Sequence, residues 1–134
     1  MSLPRFTLVT GLVFLVADAI MIPLIMRPLF LGALGPQMLT ELRLFPAGLF
    51  YLIHIGGLVF FAGLPALRGA SHRLTFLNGA MLGLVTYSCY EMTSWTIMRD
   101  WTATLVIVDM AWGTLISGLA ALAGAVVAAK PSTR

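Results

Sequence analysis

The stretch "YSCYEMTSWTIMRDWTATLVIVDMAW", residues 87–112, carries acids at Glu91 and Asp109 inside two apolar runs. Only Arg99 and Asp100 interrupt these runs, a connection short enough to force two antiparallel helices. A charged group at mid-depth in a bilayer costs ~2.5–3.5 kcal/mol on insertion scales. Carboxyls kept at such positions are therefore expected to face the interior of a bundle, where polar partners compensate them.

The apolar character extends outward over the whole chain. Of its 134 residues 60% are hydrophobic and 10% charged, with a mean hydropathy of +0.99. That leaves too little polar surface to coat a water-soluble globule. Four runs, about 6–26, 46–67, 74–98 and 102–129, reach the roughly 20 residues needed to cross a ~30 Å hydrocarbon core. The expected fold is an all-α integral membrane four-helix bundle, a single transmembrane domain over 1–134. Between the first two runs, "RPLFLGALGPQMLTELRLF" (27–45) reads as an interfacial connector and a candidate lid. Arg5 and Ala17-Asp18-Ala19 fit the outline of a signal peptide, yet the apolar run continues to Met26, so a retained helix is expected.

The eight Lys/Arg stand singly at the ends of apolar runs, a pattern of loop anchoring that argues against nucleic acid as a partner. Arg5, Arg68, Arg73, Lys130 and Arg134 fall on one side of the alternating topology, and Arg27, Arg43 and Arg99 on the other. The positive-inside rule then places both termini in the cytoplasm, in a bacterial inner membrane crossed several times. His72, beside Arg73, reads as a cytoplasmic surface residue. Trp101 reads as a member of the interfacial aromatic belt. The lone Cys89 gives no disulfide framework.

Asp18, His54, Glu91 and Asp109 lie seven or eight residues from the outer ends of their runs. At 1.5 Å rise per residue all four are expected ~10–12 Å below the outer boundary, one ionisable group per helix in one layer. Four-residue spacing aligns Gly79, Gly83, Tyr87, Glu91 and Trp95 on one helix face, and Asp109, Gly113, Ser117 and Ala121 on another. Small residues on such faces let membrane helices approach closely. Gly11, Phe14 and Asp18 form the corresponding face of the first helix, and Tyr51, His54 and Phe61 that of the second. The expected ligand pocket is built from Asp18, Tyr51, His54, Tyr87, Tyr90, Glu91, Asp109 and Trp112 and opens outward. "VADAIMIPLI" and "VIVDMAWGTLI" each place an aspartate six residues before Leu-Ile, a faint trace of an inverted repeat.

His54, Glu91 and Asp109 are weak metal candidates as mixed N/O ligands, since no His-x-x-His, Glu-x-x-His or His-Glu-x-x-His spacing occurs. Two histidines are too few for a membrane di-iron centre or bis-His haem, and no cofactor is expected. Clustered carboxyls in a low-dielectric medium can share a proton and release it when a cation or polar headgroup arrives.

From Phe50 to Ala121, "FYLIHIGGLVFFAGLPAL", "NGAMLGLVTYSCYEMTSWTIMRDW" and "VDMAWGT" resemble a bacterial family of predicted membrane proteins catalogued as a domain of unknown function. The resemblance runs through Phe-Tyr, Gly-Leu-x-x-Phe and Pro-Ala-Leu, then Tyr-Asp-x-Thr-Asn, then Val-Asp-x-x-Trp-Gly. It implies roles for Tyr90, Glu91 and Thr93 in the middle motif, which adds Thr93 to the expected ligand-binding residues, and for Asp109, Trp112 and Gly113 in the last. Glu91 stands in place of an aspartate, Ser94 in place of an asparagine and Met21 in place of a tryptophan.

Three functions fit these features. The leading expectation is a small transporter or binding protein with a protonatable pocket for a lipophilic or cationic small molecule. An intramembrane enzyme acting on a lipid or isoprenoid, with Glu91 or Asp109 as general acid, is the alternative. An assembly or structural subunit of a membrane complex is the third. Expected partners are membrane lipids, the small molecule and a second copy of the chain.

Overall fold

The computed structural model describes residues 1–129, and the Lys130 and Arg134 charges invoked for topology lie outside the described residues. Four helical segments make up the fold: α1 (Leu3–Gln37) and α2 (Leu44–Leu67), α3 (His72–Ile97) and α4 (Ala103–Ala128). No strand occurs among the described residues. The all-α, helical-bundle expectation is met. Three of the four helices, α1, α2 and α4, are both long and apolar enough to cross a membrane. α3 has the length, but its apolar character is diluted by Thr, Ser, Asn, Tyr and Glu side chains.

α4 is the packing centre. Half of its apolar window is buried, against 22% for α1 and α2. α3 runs along it most closely and α1 next, while α2 joins from outside, largely through Val59–Gly63. Small residues make the α3–α4 seam. A Cβ at Gly83 would collide with the Gly113 carbonyl and the Ser117 side chain, and one at Gly113 would enter the Tyr87 ring. Both helices start on a side-chain cap: the Leu74 amide donates to Ser71 Oγ at 3.2 Å and the Leu105 amide to Thr102 Oγ1 at 3.3 Å. The Ser2 amide donates to the Ala128 carbonyl at 3.3 Å, so the start of α1 and the end of α4 share one end of the bundle. Outward faces stay apolar, with Leu24, Leu52, Ile53 and Ile107 exposed as lipid contact would require.

Two wide turns shape the looser half. α1 contains a π-helical stretch at Ile22–Met26, closed by the Arg27 amide on the Ile22 carbonyl. α2 contains one at Val59–Gly63, closed by the Leu64 amide on the Val59 carbonyl. Each closing residue directly precedes a proline, Pro28 or Pro65. A proline ring clashes with the carbonyl four residues back and cannot donate to it, and a widened turn relieves that clash. Phe61 is the carbonyl that Pro65 cannot serve, and Asn78 Nδ2 of α3 donates to it at 3.1 Å.

The connector expected over 27–45 is mostly helix. α1 passes through Met26, continues as Arg27–Leu34 and ends in a single 3-10 turn at Gly35–Gln37. Pro23 and Pro28 fail to stop it because the π stretch absorbs them. Gly35, at φ +51°, makes the exit. The end of this arm lies against the α3–α4 turn: Phe30 packs on Trp101 at 5.5 Å between ring centroids, and Gln37 Nε2 donates to Asp100 Oδ2 at 3.1 Å. The aspartate-to-Leu-Ile likeness of α1 and α4 does not extend to backbone form, since α4 is regular α-helix where α1 turns π.

Candidate functional site

All four ionisable groups expected inside are inside: Asp18, His54, Glu91 and Asp109 are 4%, 3%, 0% and 8% exposed. Each is held by a different neighbour. Tyr51 Oη donates to Asp18 Oδ2 at 3.0 Å and Trp112 Nε1 to Asp18 Oδ1 at 2.7 Å, so one carboxyl ties α2 and α4 to α1. Trp101 Nε1 donates to Glu91 Oε2 at 2.7 Å. The Asp109 carboxyl lies within hydrogen-bonding reach of Glu91, whose Oε1 is buried and otherwise unpartnered. His54 Nε2 lies 2.9 Å from Ser117 Oγ, with its ring stacked on Phe50 at 5.4 Å and 23°.

These contacts resolve the single expected layer into two levels. The three carboxyls gather around Trp112 and Trp101, whereas His54 pairs with Ser117, eight residues and so ~12 Å further along α4 than Asp109. Among the described residues no three His, Cys, Asp or Glu side chains come together as a metal site, so His54, Glu91 and Asp109 do not form one ligand set.

A cavity of about 630 Å³ opens between all four helices. Asp18 and Asp109 are its acids, and Phe50, Tyr51, Tyr87 and Trp112 its principal aromatic walls. Tyr90 and Cys89 also line it, and Met26 and Phe30 close it from the distal part of α1. Of the residues expected in the pocket, Asp18, Tyr51, Tyr87, Tyr90, Asp109 and Trp112 line this space. His54 and Glu91 stand behind the wall, and Thr93 is exposed on the far side of α3. Phe61 and Trp95 also turn outward, at 54% and 48% exposure.

The family match extends the resemblance. The family described as Predicted membrane protein (DUF2177) matches residues 5–126, which takes in Asp18 and the first helix as well as Phe50–Ala121. The chain belongs to it. No curated protein and no solved structure matches the chain. Within this DUF2177 chain both C-terminal motifs meet at the acids. Glu91 of the Tyr-Glu motif faces Asp109 of the Val-Asp motif, and Trp112 of the latter reaches Asp18.

Sequence reasoning misses Trp101. The reading as a belt residue fails because the distal arm of α1 covers it, leaving the indole 6% exposed and committed to Glu91. Helical spacing puts Ser117 on the inner α4 face without pairing it to His54. The available signal is the histidine itself, set one turn from an aromatic stripe, since a buried imidazole requires a polar neighbour.

Proposed function

We propose that this DUF2177 protein is a multi-pass protein of the bacterial inner membrane that binds a lipophilic cation in the four-helix cavity and exchanges it for a proton. In this reading α3 crosses the membrane together with α4, and both termini are cytoplasmic. The polarity of α3 is no obstacle, because Thr86, Ser88 and Thr96 hydroxyls donate back to carbonyls of their own helix.

The observation that carries the reading is the Asp18 carboxyl, oriented by Tyr51 and Trp112 at the wall of an otherwise apolar and aromatic space. A volume of about 630 Å³ falls in the range of small-molecule sites. Apolar walls suit the body of a lipophilic ion, aromatic faces attract its charge by ~0.5–2 kcal/mol each, and Asp18 and Asp109 supply the counter-charge. Among the described residues no lysine or arginine lines the space, so an anion finds no partner there.

Titration of the purified protein with tetraphenylphosphonium should show saturable binding, weakened at least roughly tenfold by Asp18→Asn, equivalent to ~1.4 kcal/mol. Equal affinity for a neutral triaryl compound of similar size would replace the cation with a lipid-like ligand. The orientation is tested by a reporter in the Arg68–Ser71 turn, which should be active only in the cytoplasm.

A further inference from the structure

Glu91 is the one buried acid that the cation site leaves unused. It is completely buried, and Trp101 occupies Oε2, while Oε1 has no partner. The Asp109 carboxyl lies within hydrogen-bonding reach of the Glu91 side chain, and two carboxylates offer each other only lone pairs. A hydrogen bond between them requires a hydrogen on one of the two. Asp109 in turn opens on the cavity.

We infer that Glu91 and Asp109 hold a single proton between their carboxyls, and that a cation reaching Asp109 from the cavity displaces it. The ligand of this second site is the proton itself. Its role in exchange rests on the cation reading above, whereas the shared proton does not. The groups facing the pair are Asp18 from α1, Tyr87 and Tyr90 from α3 and the Trp101 indole from the α3–α4 turn, with Tyr51 of α2 one step away on Asp18. All of them are neutral or acidic, so the counter-charge must come from the proton or from a bound cation. Charge balances in the exchange: one positive charge enters at Asp109 as one proton leaves through the cavity.

Two measurements test the inference on the full chain in detergent. Calorimetric titration with tetraphenylphosphonium in buffers of different ionisation heat should give close to one proton released per cation bound. Glu91→Gln should still bind the cation, because the introduced amide would donate to an Asp109 that stays charged, but should release none. Binding by the natural protein without proton release would overturn the inference and leave the cation site standing. If no cation binds, the cation reading fails and infrared spectroscopy of the unliganded protein still decides: a protonated-carboxyl band must be present and must vanish in Glu91→Gln. Should that variant not fold, Asp109→Asn must remove the same band, and its persistence there would overturn the shared proton.

Discussion

The α3–α4 pair and the α1–α2 side solve the same packing problem in opposite ways. α3 and α4 approach until glycine is the only residue that fits at Gly83 and Gly113, and the Thr86 and Thr114 hydroxyls bond back to carbonyls of their own helices. α1 and α2 keep their faces apart, bridge them through polar links such as Tyr51 to Asp18, and interrupt both helices with π turns. The cavity lies along the loosely joined side, with Asp109 carried by the tight pair and Asp18 held jointly by Tyr51 and by Trp112 of that pair. The closely packed helices supply the geometry and the more loosely joined pair supplies the space.

The sharpest way to break the contrast is to add one methyl group on each side. Gly113→Ala should cost about 3 kcal/mol or prevent folding, because the new Cβ would occupy the Tyr87 ring position. Gly56→Ala in α2 meets nothing within 4 Å. It should leave stability unchanged or raise it by up to ~1 kcal/mol through helix propensity. Denaturation of both variants in the same detergent measures the difference, and equal effects would end the two-sided description.

Next in size is Trp101→Phe. It removes the indole donor to Glu91 and should cost ~1.5–3 kcal/mol in the same assay, with Tyr90 emission or absorbance reporting the loss of its edge-on contact with the indole at 5.5 Å. Asn78→Leu should cost less, ~0.6–1.7 kcal/mol, by orphaning the Phe61 carbonyl. Adding Pro65→Ala to it should recover part of that loss, since residue 65 could then donate to Phe61 itself; a strictly additive double variant would show that Asn78 serves some other purpose. The smallest effect belongs to Gln37→Ala, whose bond to Asp100 is exposed and should be worth under ~0.5 kcal/mol.

Hydropathy and helical spacing made the helical bundle and its inward acids legible. Asp18, Glu91 and Asp109 are buried as their small-residue faces require, and Gly83, Gly113 and Ser117 lie on the seam that spacing marks out. Three features were hidden for physical reasons. The continuation of α1 beyond Met26 reads as a connector because a π turn leaves no compositional mark. Trp101 reads as interfacial because its cover comes from the distal arm of α1, far back in the chain. The depth of His54 is misjudged relative to the carboxyls because the boundaries of each span are fixed only to a few residues.

The π turn in α1 also acts on the reading frame of the helix. Phe6, Thr10, Phe14, Asp18 and Met21 mark its inner face at spacings of three and four, and the next buried residue is Met26, five positions on. An unbroken α-helix advances ~100° per residue, so the extra residue would have swung everything beyond it out of phase. Widening one turn restores the phase and brings Met26 and Phe30 round to the cavity and to Trp101. Inserting one further residue between Ile22 and Met26 would then rotate the distal arm by ~100° relative to the acids and turn Phe30 toward lipid, whereas deleting one would let a regular α-helix keep the phase. The position at which α1 counts five instead of four thus sets whether the arm closes the cavity or merely continues the helix.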